Sequence, residues 1–406
     1  MAFRRVIFVL AAGAVALASL PLLAQNPASG PVARYDVKAG TISGAAAMGG
    51  GAMMGMMLGG RGGNNVQHEL LLRLGSSEAA KGEPKAEHIL PAGARLGKSV
   101  LLSTPKVERE ENDQLPQKPK GRLFVFWGCG ANAPKGQPVV IDFAKAAAGQ
   151  MPGGIWTGTI PRDRGPSMQN SRTFGHWPYQ DGKFIKPDSS LVGAHRIISN
   201  YAPEIAFTAT RDFMQSLQAT ARPQPTGASL LSWNSIPGAT GYLAFVTGGR
   251  MAPNGVGDMV IWTSSATRQF GGGLSDWLSP AMVAGLVRDR TILPPTATSC
   301  IIPMEVRQAM PDFAAGTLTA FGPEEDFSYP PRPASTSTPW KLEWTARIRH
   351  RSVTNWIEAK GMSMGAMGAQ DTQGNQGQQN QEPPKRCKPK SLGGMLGGVL
   401  RGASGC

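Results

Sequence analysis

Two groups of methionine stand out in this 406-residue chain as residues able to do chemistry: Met48, Met53, Met54, Met56 and Met57 near one end, Met362, Met364 and Met367 near the other. Thioether sulfur is a soft donor that selects Cu(I). That makes Met53, Met54, Met56, Met57, Met362, Met364 and Met367 a candidate metal set. Neither group contains His or Cys, however, and Met set between glycines is also a flexible apolar filler. Arginine supplies the second pattern. In Trp344 to Arg351, Ala346, Ile348 and His350 alternate with Arg347, Arg349 and Arg351, which puts three guanidinium groups on one face of a strand. Such a comb either holds phosphate or carboxylate groups of a polymer or keeps an exposed edge strand from pairing with other chains. His350, on the inner face, reads as a core histidine. In His176-Trp177-Pro178-Tyr179, the rings of Trp177 and Tyr179 are candidates to meet a sugar face.

Cys129, between two glycines, is the residue most easily taken for a nucleophile. A catalytic thiolate needs a nearby base, and only His176 and His195 are candidates. Cys129, Cys300, Cys387 and Cys406 allow three pairings in an oxidising compartment. Cys387 with Cys406 is the favoured disulfide, because both lie in one tail; Cys129 and Cys300 are then buried thiols, and Cys129 reads as either a packed or a disulfide-bonded cysteine. The run Glu324-Glu325-Asp326 reads as a solvated loop. No G-x-S-x-G, H-E-x-x-H, phosphate-binding or dinucleotide motif is present. The expectation is therefore no catalytic residue and no cofactor; a hydrolase would require Cys129, a His and a carboxylate to meet in one pocket.

Lys and Arg number 41 against 27 Asp and Glu, a formal charge of +14. This balance suits anionic partners such as phospholipid headgroups, lipopolysaccharide or acidic polysaccharide. The chain opens on Met-Ala-Phe-Arg-Arg, an apolar stretch from Val6 to Leu23, and Leu22-Leu23-Ala24 before Gln25, the pattern of a secretory signal peptide over residues 1–24. Export sets nucleic acid aside as a partner. The expected address is the periplasm, the outer membrane or the exterior, with a protein partner and the oligomeric state left open.

These residues must be positioned by a chain rich in turn formers, with 52 Gly and 33 Pro. Residues 25–65 form a Gly/Met-rich lead-in in which Gly51, Gly55, Gly59 and Gly63 recur every four positions. Folded composition begins at Val66. Arg122 to Trp127 reads as a buried strand running into a glycine turn, with Pro138 to Phe143 as its partner. Further strands are expected at 155–160, 191–199 and 205–210, so residues 66–220 are read as a β-sandwich-like domain. Residues 224–358 form the second domain, interrupted by helices beginning at Pro280 and Glu305. Residues 359–406 read as a disordered basic tail.

The clearest local pattern is Ser229 to Gly249, SLLSWNSIPGATGYLAFVTGG. Leu230 to Trp233 and Tyr242 to Val246 are short apolar runs flanking Ile236-Pro237-Gly238-Ala239-Thr240-Gly241. This reads as two antiparallel strands joined by a loop, with Trp233 and Tyr242 facing inward. The stretch resembles the B and C strands of a fibronectin type III module, which have a core Trp, a Pro-Gly-Ala-Thr turn and a core Tyr; Ala315 to Phe321 and Trp344 to Arg351 resemble the closing F and G strands. The resemblance implies a sandwich over about 224–358 and a binding or spacing role, and it names no ligand. The expected fold is mainly β: two β-sandwich-like domains with short helical insertions and disordered Gly/Met-rich flanks. The expected function is a non-catalytic envelope protein with an anionic envelope polymer or membrane surface as partner. A periplasmic Cu(I)-binding protein and a Cys- or carboxylate-dependent hydrolase are the rivals.

Overall fold

The computed structural model describes residues 30–47, 66–105, 121–150, 152, 165–179, 183–252, 255–269, 273–274, 276–333, 340–359 and 362–363. The leader at 1–24, the glycine repeats at 51–63, the strand expected at 155–160, Met53, Met54, Met56, Met57, Met364, Met367 and the expected pair Cys387 and Cys406 all lie outside them. The fold is mainly β.

In chain order the elements are β1 (Ala33–Gly44), β2 (Val66–Ser76), β3 (Ala86–Ile89), β4 (Val100–Leu101), β5 (Arg122–Trp127), β6 (Val139–Asp142), α1 (Phe143–Ala147), β7 (Thr173–Trp177), β8 (Phe184–Ile185), β9 (Gly193–Ser199) and β10 (Ile205–Ala209). They continue as β11 (Ala219–Pro223), β12 (Ser229–Trp233), β13 (Gly241–Ala252), β14 (Gly255–Thr263), α2 (Pro280–Arg288), β15 (Ser299–Ile302), α3 (Met304–Ala309), β16 (Phe313–Tyr329), β17 (Trp344–Ala359) and β18 (Met362–Ser363). Pro at the first helical turn and the Ser279 hydroxyl accepting from Met282 N start α2 where the sequence places it.

One large sheet has the order β6-β5-β14-β13-β16-β17-β1-β2-β7, with β8 on β2 and β18 on β17. Two small sheets cover one of its faces. The sheet β10-β9-β3-β4 encloses a core with Tyr35, Val37, Leu70, Leu72, Ile197 and Ile205; the sheet β11-β12-β15 encloses another with Leu231, Trp233, Tyr242, Trp262 and Leu318. The strands β16 and β17 are 17 and 16 residues long and run past both cores. Arg122–Trp127, read above with residues 66–220, pairs in parallel with β14 and so sits beside the second core.

The polarity of β1 and β17 changes where the chain crosses between the two cores. Along one face of β1 the apolar Tyr35, Val37 and Ala39 give way to Thr41 and Ser43, and on β17 Ala346 and Ile348 give way to His350, Ser352 and Thr354. Residues 210–218 cross here outside any strand. Their backbone is satisfied by side chains of the sheet: Thr41 Oγ1 donates to Met214 O at 2.6 Å, Ser43 Oγ donates to Leu217 O, and Leu217 N donates to Ser352 Oγ at 3.1 Å. A buried backbone segment without ladder partners requires such donors and acceptors.

Trp233 and Tyr242 are both buried, with ring centroids 5.6 Å apart. They do not belong to a hairpin, as the loop between them suggests: β12 pairs with β11 and β15, whereas β13 pairs with β14 and β16. The intervening turn carries the chain from one sheet to the other and is pinned by Ile236 N donating to the Tyr242 hydroxyl at 3.0 Å.

Candidate functional site

The face of the large sheet opposite the first core is where the chain gathers its charge. Strand registers lay it out in rows. Asp326, Arg347, Asp36, Arg73 and His176 follow one another across β16, β17, β1, β2 and β7. The next row is Glu324, Arg349, Lys38 and Leu71, and beyond it Arg351, Gly40, Glu69 and Phe184. In the first row Asp326, Arg347, Asp36 and Arg73 alternate in sign across neighbouring strands, and Glu324 faces Arg349 in the second, which favours this register over its slips; Lys38 faces the like charge of Arg349 and lies near Asp276 instead.

The comb of Arg347, Arg349 and Arg351 occupies this face, and here the edge-strand reading needs correction. β17 is an interior strand between β16 and β1, so its arginines are not guards of an exposed edge. Nor do they form an open comb. Arg347 Nε and Nη2 donate to Asp36 Oδ1 and Oδ2, each at 2.7 Å. Arg349 is 4% exposed; its Nε donates to Glu324 and its Nη1 to Trp277 O at 2.8 Å. Arg351 donates to Glu69 Oε2 at 2.9 Å and lies over the Trp277 ring at 4.0 Å from its centroid. Desolvating a guanidinium is costly unless it is paired, and carboxylates far away in sequence meet that requirement. Glu324 and Asp326, expected in a solvated loop, are strand residues of β16 that belong to these rows.

Lys38 is buried on the same face, 3.9 Å from Asp276 and 5.9 Å from the Trp277 centroid. Burial, reinforced by Arg73, lowers its pKa to about 8. The Asp326 carboxyl is shifted upward, first by burial and then by neighbouring Glu324.

One end of the face opens into a cleft of about 550 Å³. Its floor carries Arg34, Asp36, Asp326, Ser328, Thr345 and Arg347, and its walls are Pro166 on one side and Arg332 with Trp340 on the other. Arg34 Nη2 donates to Asn170 O at 3.1 Å. Trp340 Nε1 donates to Pro330 O at 3.0 Å, and the Arg332 guanidinium stands 5.9 Å from the indole centroid. Gly165 approaches so closely that a Cβ there would lie 2.6 Å from Asp36 Oδ2.

The other candidates are placed separately. Strand alternation turns Thr173, Gly175 and Trp177 inward, so Trp177 is 8% exposed in the first core with Lys183 over its ring, and it is not offered to a sugar. Tyr179 is 67% exposed, 6.4 Å from His176. Cys129 and Cys300 are not thiols but a disulfide, with Cα atoms 5.3 Å apart. The glycine turn after β5 lies against β15, Gly130 N donating to Ile301 O at 2.9 Å, and that contact brings the two sulfurs together. A bonded sulfur is no nucleophile. Among the described residues no three His, Cys, Asp or Glu side chains are grouped to hold a metal ion. Met362 lies in β18.

Two buried features were not foreseen. Tyr35, His88 and His195 form a chain, Tyr35 Oη to His88 Nδ1 at 2.8 Å, His88 Nε2 to His195 Nδ1 at 2.9 Å, and His195 Nε2 to Leu191 O at 2.7 Å. Leu191 O only accepts, so His195 Nε2 carries a proton; with both imidazoles neutral, the form that burial favours, each group in turn donates toward that carbonyl. Burial lowers both histidine pKa values and raises that of Tyr35. His350 is buried as expected of a core histidine, but neither ring nitrogen has a hydrogen bond; Glu325 Oε1 is 3.8 Å from Nε2, too far for one. No helix of the described residues is long and apolar enough to cross a membrane. No protein-family model matches the chain, and no curated protein and no solved structure matches it either.

Proposed function

We propose that this chain is an exported, non-catalytic binding protein that holds an anionic polymer of the cell envelope in the cleft between Pro166 and Trp340. The observation that carries the reading is the composition of that cleft: Arg34 and Arg332 stand at a concave site that also offers an indole ring and polar floor groups. Concave sites with an aromatic wall and a few placed polar groups are where ligands are held, and guanidinium is the side chain suited to carboxylate and phosphate. The rest of the charged face supports the cleft, because its arginines are held by Asp36, Glu324 and Glu69. The disulfide between Cys129 and Cys300 supports an oxidising compartment, hence export. For residues 224–358 we retain the fibronectin type III-like reading. Its support is the distribution of strands, with β11, β12 and β15 in one sheet and β14, β13, β16 and β17 adjacent in the other.

The test is titration of the full chain with lipopolysaccharide, a polyuronate and anionic vesicles at increasing salt, together with cell fractionation. The expected result is binding of at least one anionic polymer that weakens with salt and export of the protein. Absence of binding to all three at low salt, or a cytosolic location, would overturn the proposal.

A further inference from the structure

The chemistry of the cleft goes further than a preference for negative charge, and the inference here rests on the binding role proposed above. We infer that the unit recognised is an acidic saccharide, a sugar ring bearing a carboxylate, with the ring against Trp340, the carboxylate on Arg332 and the ring hydroxyls on Asp326 and Ser328. Three observations lead there.

The first is the state of the indole. Trp340 directs its only N–H to Pro330 O at 3.0 Å. What it presents to the cleft is therefore ring surface, and Pro166 is a second apolar wall. Such surfaces match the C–H faces of a sugar; a lone phosphate has no apolar face to place there. The second is the mixture of charge on the floor. Arg347 and Asp36 satisfy each other through two bonds of 2.7 Å, so the pair offers a ligand little net charge. Asp326 stands beside it at the mouth, open to solvent although its carboxyl is partly desolvated by its neighbours. An acceptor of this kind suits hydroxyl donors and repels a dense cluster of phosphates. The third is shape. A cavity of about 550 Å³ accepts a short length of a chain-like ligand and is closed to the flat surface of a bilayer. The Arg332 guanidinium, 5.9 Å from the indole centroid, sets one cation next to the ring, where it can pair with the acid group of a sugar.

The experiment is calorimetric titration of the full chain with four probes: trigalacturonic acid, the corresponding neutral galactose trisaccharide, inorganic polyphosphate and phosphatidylglycerol vesicles. The expected order places the uronic acid trimer first, with the neutral trimer weaker by about tenfold or more, as loss of one charge-assisted contact implies. Arg332→Gln and Trp340→Ala each lower uronate affinity about tenfold, Trp340→Phe restores most of it, and Asp326→Asn weakens it without changing the dependence on salt. Arg122→Gln, on the far side of the sheet, changes nothing. Arg332 is exposed and Trp340 half-buried, so both variants retain the wild-type urea midpoint, which is measured alongside. Two results refute the saccharide assignment: uronate binding unaffected by Arg332→Gln and Trp340→Ala, or binding of polyphosphate or vesicles without the uronate. The second leaves the anionic-polymer reading standing, whereas failure of every anionic probe removes both.

Discussion

Replacing Asp36 by Asn keeps the side-chain shape and removes the charge that holds Arg347. Asp36 is 5% exposed and accepts both Nε–H and Nη2–H of Arg347 at 2.7 Å. The substitution leaves a guanidinium facing an amide N–H₂ across the same gap. Removing one member of a buried pair costs about 3–5 kcal/mol, largely through uncompensated desolvation of the surviving charge, and Arg347 keeps further interactions besides Asp36 that reduce this. The Arg347 side chain is 23% exposed and recovers some hydration, so the expected loss is near the lower end, about 3 kcal/mol. A loss of that size is a large part of the stability of an ordinary domain. Urea unfolding followed by tryptophan fluorescence measures it as a lowered midpoint at unchanged slope. A second chain carrying Asp36→Leu and Arg347→Met together removes both charges and should fall within about 1 kcal/mol of wild type, well short of the loss expected for Asp36→Asn alone. As a control, Asp258→Asn breaks an ion pair whose side chains are 52% and 35% exposed and should leave the midpoint unchanged. If Asp36→Asn costs less than about 1 kcal/mol, the pair is solvated and the account of the charged face is wrong.

Three other outcomes follow from the described contacts. His88 and His195 have pKa values held below the ordinary histidine value by burial, so the folded state binds fewer protons than the unfolded one. Their contribution is fully present above about pH 6.5 and falls by up to about 1.4 kcal/mol per unit and per group below it; His88→Gln should flatten the slope of the urea midpoint between pH 7 and 5, and an unchanged slope would reject the neutral chain. The Cys129–Cys300 disulfide closes a loop with a sequence separation of 171, and changing both residues to Ala should destabilise by roughly 2–5 kcal/mol, read as a lower melting temperature that reductant no longer shifts. Gly316 faces Trp356 across β16 and β17, where a Cβ would lie 2.0 Å from indole carbons; Gly316→Ala should cost about 1–3 kcal/mol and alter tryptophan fluorescence, and a neutral effect would mean that the indole moves aside freely.

Alternation alone is enough to place Trp233 and Tyr242 inward and to set Arg347, Arg349 and Arg351 on one face, and both hold. What alternation lacks is the partner strand. Asp36 is 311 residues from Arg347 and Glu69 is 282 from Arg351, so nothing near β17 in sequence reveals that its arginines are paired. The same gap explains the cysteines: proximity in sequence favours Cys387 with Cys406, while the sheet brings together Cys129 and Cys300. Short apolar runs around a Pro-Gly turn suggest a hairpin, yet a turn of that length also carries a chain between facing sheets, as β12 and β13 do. The cleft combines residues from β1, β16, β17, the turn at Pro166 and the segment at Trp340. One local sign of it is visible in the sequence, the switch of β1 from apolar residues to Arg34, Asp36 and Lys38 at every second position.

Hydrogen exchange of the full chain, with and without polygalacturonate at low salt, tests the binding claim most directly. Protection is predicted at residues 34–36, 326–333 and 340–347, with 122–142 and 280–288 unchanged. Protection confined to those latter segments, or none at a polymer concentration that saturates the calorimetric signal, would contradict it.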